Sequence, residues 1–255
     1  MRILFLANNW VGWQVLKWLK QQGEDIVGLV VHPPAQGKYR DEIIKSSRLA
    51  RNKIFKGDSL RKPRVRKAIQ ELKPDIGISV FFNYILDEKF LNNFPKGCIN
   101  VHPAFLPYNR GQYPNVWSIV EKTPAGVTIH YMDKGIDSGD IMAQKRLSIE
   151  PVDTGATLYK KLENASVSLF KKNWPKIKKG HIRRFLQNKK DGTYHRTRDT
   201  ERIDKINLDK KYKARDLIDI LRARTFPPYS GAYFVHKGRK INLRLELSYG
   251  AKVNG

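Results

Sequence analysis

The sequence predicts an α/β fold: a doubly wound, mostly parallel sheet over residues 1–180, then a connector and a small C-terminal α+β extension over 181–255. Three observations predict it. Short apolar runs of strand length alternate with segments whose apolar residues recur at helical spacing, the pattern of βαβ units. A chain of 255 residues with 40% hydrophobic content can bury one large or two modest cores. Beyond residue 180 the alternation gives way to a polar connector, one helix and a hairpin.

The elements follow in order. RILFLA, residues 2–7, reads as a buried strand. Val11, Val15, Trp18 and Leu19 then fall at helical spacing, and Gly23 is placed to end that helix. DIVGLVV, 25–31, is a second strand. Helices are expected over 41–50 and 64–72, the latter closed by Pro74. DIGISVFF, 75–82, is a third strand and CINVH, 98–102, a fourth. GVTIHYM, 126–132, alternates cleanly and pairs with 141–149 across the turn-rich DKGIDSGD. In the helix 154–172, Leu158, Leu162, Ala165 and Leu169 form one apolar stripe. A helix over 214–223 and a hairpin of 232–235 with 240–247 complete the chain.

Composition narrows the function. Lys and Arg number 49 against 24 Asp and Glu, a net charge of +25. Residues 171–190 hold nine basic residues and no acid. Such a run suits a polyanion such as RNA, or else a solvated lysine-rich face. The single cysteine, Cys98, excludes an internal disulfide framework and a cysteine zinc site, and fits a cytoplasmic setting. No apolar stretch approaches the roughly 18 residues of a membrane helix. The first strand-to-helix turn, ANNWVGW, has one glycine where a dinucleotide site needs a spaced trio, so NAD is set aside. No G-x-S-x-G elbow marks a serine hydrolase. His102, His130, Asp133 and Asp137 are of metal-ligand type but lack the spacing of a zincin.

The chemistry gathers at CINVHPAFLPYNRG, 98–111. On a strand, residues i and i+2 share a face, so Asn100 and His102 point together. Pro103 ends the strand by removing a donor. Sites of doubly wound sheets lie outside the carboxyl ends of the strands, where His102 sits. Asp137, in the loop between two later strands, is positioned to fold over it.

N-x-H-P-x-x-L-P-x-x-x-G-x-x-P at Asn100–Pro114, with G-V-T-I-H-x-M-D-x-G-I-D-S-G at Gly126–Gly139, resembles the formyltransferases that use N10-formyltetrahydrofolate. The resemblance covers roughly 1–180 and, more loosely, 194–247. It implies a Rossmann-like formyltransferase core and a catalytic trio of Asn100, His102 and Asp137. It also implies a folate site formed by Phe82, Tyr84, Ile85 and Leu86 with the loop Asp133, Lys134 and Gly135. The first loop, Asn8-Asn9-Trp10, differs from the Gly/Ser-rich loop of glycinamide ribonucleotide formyltransferases. The C-terminal part is shorter than the barrel of methionyl-tRNA formyltransferases. PPYSGAYF, 227–234, is similar to a loop of the sugar-nucleotide N-formyltransferases. That branch implies a homodimer and an acceptor that is a UDP- or dTDP-linked amino sugar. It would be met by Asn9, Trp10 and Gln112, with Arg222, Arg224 and Tyr229 for the pyrophosphate and base. An RNA-binding protein or a tRNA-formylating enzyme on the same fold is the alternative.

Overall fold

The computed structural model describes residues 1–251, the side chain of Lys189 excepted. The first half-sheet is built by β1 (Arg2–Ala7), α1 (Asn9–Gln21), β2 (Asp25–Val31), α2 (Arg40–Ser47) and β3 (Ile54–Lys56). The second is built by α3 (Pro63–Glu71), β4 (Ile76–Val80), α4 (Glu88–Leu91), β5 (Cys98–His102), α5 (Pro114–Val120), β7 (Ala125–Tyr131) and β8 (Ile141–Leu147), with the short β6 (Arg110–Gly111) lying outside the main sheet. Then come α6 (Gly155–Lys178), β9 (Tyr194–His195), α7 (Glu201–Asp204), α8 (Ala214–Arg224), β10 (Tyr233–His236) and β11 (Arg239–Asn242).

The main sheet runs β3-β2-β1-β4-β5-β7-β8. Pairing is parallel from β3 to β5, and antiparallel for β5–β7 and β7–β8. Along β1 the two faces separate residue by residue. Ile3, Phe5 and Ala7 enter one core and Leu4 and Leu6 the other, as the strand's period of two requires. The first core is covered by α1 and α6, the second by α3 and α4. Gly12 lets α1 lie close on β1, since a Cβ there would come within 2.9 Å of the Ala7 Cβ.

Several boundaries differ from the sequence expectation. The helix expected to stop at 172 continues to Lys178 through Pro175. Trp174 and Ile177 extend its buried stripe, and burying them contributes roughly 2 kcal/mol each. That offsets the roughly 3 kcal/mol an interior proline costs. The short β3 and the helix α5 have no counterpart in the sequence reading. The final hairpin pairs Tyr233–His236 with Arg239–Asn242, a shorter second strand than the 240–247 expected.

The order places a switch point between β1 and β4. The chain leaves β1 toward β2 on one side, and β4 leads toward β5 on the other. The switch point falls between the loops at Asn8–Asn9 and Phe81–Phe82, and doubly wound proteins bind ligands in the crevice at such a point. Asn9, Phe81, Asn109 and Asp137 all adopt left-handed φ between 50° and 68°. Non-glycine residues held there carry backbone strain of about 1–3 kcal/mol each, and such strain concentrates at functional sites.

Candidate active site

Asn100 and His102 lie on one face at the end of β5, as the alternation predicts, with 9% and 7% of their surface exposed. The antiparallel register of β5 and β7 pairs Asn100 with His130, so His130 enters the same buried group. The Asp133–Asp140 loop brings Asp137 over them. Asp133 shapes this loop by accepting from the Gly135 N–H at 2.9 Å and the Ser138 hydroxyl at 2.8 Å.

The geometry assigns the ring protons. His130 Nδ1 lies 2.8 Å from the Tyr131 carbonyl and donates to it. Its Nε2 therefore accepts from Asn100 Nδ2 at 3.2 Å. Asn100 Nδ2 also faces Asp137 Oδ1 at 3.3 Å. His102 Nε2 stands 3.6 Å from Asp137 Oδ2 and has no hydrogen-bond partner, while the ring bonds the Asn109 backbone. A gap of 3.6 Å is an ion pair waiting for a proton rather than a hydrogen bond. Asp137 Oδ2 accepts instead from the Gly111 N–H at 3.0 Å. Gly111 has φ +87°, and a Cβ there would meet the His195 carbonyl at 2.3 Å, so only glycine presents that N–H to Asp137.

Electrostatics fits the same assignment. Burial pushes the His102 pKa down, further aided by His130 and opposed by Asp137 and the Asn109 backbone. Burial pushes Asp137 upward, but His102, His130 and the Gly111 N–H overcome it and hold the carboxyl well below the usual range. A neutral imidazole with a free Nε2 thus faces an ionised carboxylate. Burial raises the Cys98 thiol far above neutrality, which disfavours it as a nucleophile.

The segment after β4 is anchored by its own side chains. Phe82 and Leu86 are buried in the second core. Phe82, Tyr84 and His32 form an aromatic cluster with centroids 4.9 to 5.3 Å apart. Ile85 is 68% exposed. Lys134 and Gly135 are exposed at the tip of the facing loop.

On the other side of the crevice Asn9 Nδ2 donates to the Tyr159 hydroxyl at 2.6 Å. Trp10 carries the Lys160 ammonium 4.2 Å above its ring. Tyr229 accepts from Lys38 Nζ at 2.8 Å, and Phe226 packs between Tyr159 and Tyr229. Lys38, Tyr159 and Lys160 were not singled out in the sequence, because their partners lie far along the chain. Gln112 is half-buried next to Gly111, its N–H given to the His195 carbonyl at 2.9 Å.

Arg222 and Arg224 are placed differently from the expectation. The Arg222 guanidinium donates to Asp219 at 2.7 Å and to the Glu150 and Asp153 carbonyls at 3.1 and 3.0 Å. Arg224 makes a two-pronged pair with Asp204. Both forks are filled by the chain itself and hold α8 against its neighbours, so neither stands free for a pyrophosphate.

A buried amide, two imidazoles and a carboxylate gathered at the carboxyl end of β5 are a set suited to acid–base chemistry. Residues 1–173 match the formyl transferase family, and 199–249 match the N-formyltransferase dimerization C-terminal domain. The chain belongs to the formyl transferase family and is an N-formyltransferase. It is similar to a 4-N formyltransferase from Francisella tularensis, at 30% identity over 97% of this chain and 98% of the other, with a TM-score of 0.80. A sugar N-formyltransferase from Shewanella sp FDAARGOS_354 matches at 26% identity over 98% and 99%, with a TM-score of 0.84. The formyltransferase PseJ from Anoxybacillus kamchatkensis, described in complex with UDP-4,6-dideoxy-4-formamido-L-AltNAc and tetrahydrofolate, matches at 29% over 79% and 89%, with a TM-score of 0.56.

Proposed function

We propose that this enzyme transfers the formyl group of N10-formyltetrahydrofolate to the amino group of a nucleotide-linked amino sugar. The observation that carries this reading is the unpaired His102 Nε2 beside an ionised Asp137, at the carboxyl end of β5. The donor supplies an activated formyl carbon. Phe82, Tyr84, Ile85 and Leu86 on one side and Asp133, Lys134 and Gly135 on the other would hold the donor ring, Phe82 and Leu86 anchoring the wall in the core and Ile85 exposed. Asn9, Trp10, Gln112 and Tyr229 line the acceptor side, joined by Lys38 as a cation for the diphosphate and by Lys160, whose ammonium is shared with Glu163 at 3.4 Å.

The chain's own residues carry the proton and the charge. Asn100 turns one N–H to the formyl oxygen as negative charge grows there, an interaction worth about 3–4 kcal/mol. His102 Nε2 takes the proton from the attacking amine. The imidazolium then closes on Asp137 Oδ2, which stabilises it, and as the formyl carbon–N10 bond breaks the imidazolium returns the proton to the departing folate nitrogen. His130 holds the Asn100 amide in the required orientation through its Nε2.

The acceptor class is supported by the Francisella, Shewanella and Anoxybacillus proteins. A homodimer through residues 199–249 is supported by the domain match and by exposed Leu208, Ile218, Val235, Ile241 and Tyr249. Among the described residues no helix is long and apolar enough to cross a membrane, and we place the enzyme in the cytoplasm, where such donors and acceptors are made available. A panel of UDP- and dTDP-linked amino sugars incubated with the donor tests the reading by mass. One acceptor should gain a formyl group. Faster formylation of aminoacylated tRNA than of every sugar would overturn it.

A further inference from the structure

We propose that Gln187 is a positioning residue for the acid–base step, holding the backbone of the Asp137 loop from a strap that follows the catalytic core. The inference rests on the Asn100–His102–Asp137 reading given above.

The strap lies between the two family matches, over residues 174–198, and neither match includes it. It crosses both walls of the site. On one wall Phe185 and Ile141 exchange backbone hydrogen bonds at 2.8 and 2.9 Å. On the other, β9 pairs with β6, and Thr193 accepts from the Arg110 and Asn109 N–H groups. Gln187 lies between these anchors. Its Nε2 donates to the Asp137 carbonyl at 2.9 Å and the Gly139 carbonyl at 2.7 Å. Its Oε1 is buried and has no partner.

These contacts fix the orientation of the amide. Turned over, its oxygen would face two carbonyl oxygens, so the donor must point at the loop even though the acceptor goes unpaired. The strap itself does not depend on this contact, because it is pinned on both sides by backbone bonds. What depends on it is the loop. Asp137 sits at φ +50°, and its carboxylate reaches Gly111, His102, His130 and Asn100 only from that backbone position. Gln187 therefore acts on the reaction through Asp137 without touching either substrate.

The test is Gln187→Leu, similar in size but without the donor. We expect kcat to fall by about tenfold to a hundredfold, the scale of a misplacement near 1 Å, with smaller changes in KM. The His102 imidazole, followed by NMR, should titrate at lower pH, since Asp137 is the group that raises it, against His130, with the Asn109 backbone unchanged. Gln187→Asn keeps the amide but is one methylene short of both carbonyls, and should behave likewise if the leucine variant folds poorly. Asn188→Ala, which removes exposed turn contacts to Asp191 and to the Lys190 N–H, should leave kcat near native. Native kcat with an unmoved His102 titration would overturn the proposal. So would a loss of kcat that tracks a loss of fold with the titration unmoved. The titration is read without substrate, so it fails separately from the formyltransfer assignment.

Discussion

Replacing Asp137 with asparagine removes the charge and little else. Asparagine tolerates the left-handed backbone at this position, and its carbonyl can still accept the Gly111 N–H. What is lost is the carboxylate 3.6 Å from His102 Nε2, between side chains only 8% and 14% exposed. At an effective dielectric of about 20, an imidazolium and a carboxylate at that distance attract by roughly 4–5 kcal/mol. General acid–base catalysis by a positioned group contributes about 10²- to 10⁴-fold, or roughly 3–5 kcal/mol of barrier. The two routes agree, so Asp137→Asn should lower kcat/KM by about 10³-fold. The assay is initial-rate formylation of the best sugar nucleotide, with circular dichroism and cooperative unfolding as the check on fold. The His102 titration should move to lower pH in the same variant. Turnover within tenfold of native in a folded protein, or an unmoved His102, would refute the pairing as the source of catalysis.

Lys38→Ala should raise KM for the sugar nucleotide about tenfold to a hundredfold, the worth of a charged hydrogen bond, with little effect on donor binding. Arg222→Ala should instead lower the unfolding midpoint and leave that KM alone, because its fork holds Asp219 and two carbonyls; the reverse outcome in steady-state kinetics would restore Arg222 as a ligand. Stability should fall as pH drops through about 6.5. His102 is held below that value when folded, so the unfolded chain takes up the proton first, at a cost of up to about 1.4 kcal/mol per pH unit for this group. Asp137 adds to the loss lower down: its folded pKa is depressed, so its contribution is present above the ordinary carboxylate pKa and goes as pH falls below it. Urea midpoints from pH 8 to 5 that stay level would contradict the His102 assignment.

The parts of the molecule legible in the sequence were those fixed by local periodicity. The strands at 2–7, 25–31 and 98–102, the helix at 9–21 and the shared face of Asn100 and His102 follow from spacing alone. The helix at 114–120 was not visible because Val116, Trp117, Ser118 and Ile119 are buried on several sides, which erases the amphipathic signature. His130 stood out in the sequence only as one of four residues of metal-ligand type without a metal spacing. Only the antiparallel register with Asn100 makes it part of the site, and register between strands 30 residues apart has no local signal. Arg222 had a visible partner in Asp219, three residues earlier on the same helix. Arg224 did not, since Asp204 lies 20 residues away. Gln187 carried no signal at all: a glutamine in a polar connector gains meaning only from the carbonyls it meets.

The basic run 171–190 shows how charge reads differently once it is placed. Lys178 pairs at 2.9 Å with Glu24, which is 5% exposed and also accepts from Trp174 Nε1 at 2.8 Å. Without Lys178 that buried carboxylate would stand uncompensated, a situation that costs several kcal/mol. Arg184 lies 3.7 Å above the Tyr131 ring and Arg183 5.1 Å from the Phe185 ring. These three charges tie the start of the strap to the sheet and to its own aromatic residues. Lys171, Lys172, Lys176 and Lys179 remain exposed as a solvated helix face. An RNA footprint is a set of cations free to release counterions to phosphate, and Lys178, Arg183 and Arg184 are already engaged within the chain. Lys38 and Lys160 are each set against an aromatic ring, Lys38 over Tyr229 and Lys160 over Trp10, and Lys160 is also paired with Glu163 at 3.4 Å. Two cations beside aromatic rings suit a diphosphate carrying a base better than a polyanion, which favours the sugar nucleotide as the acceptor.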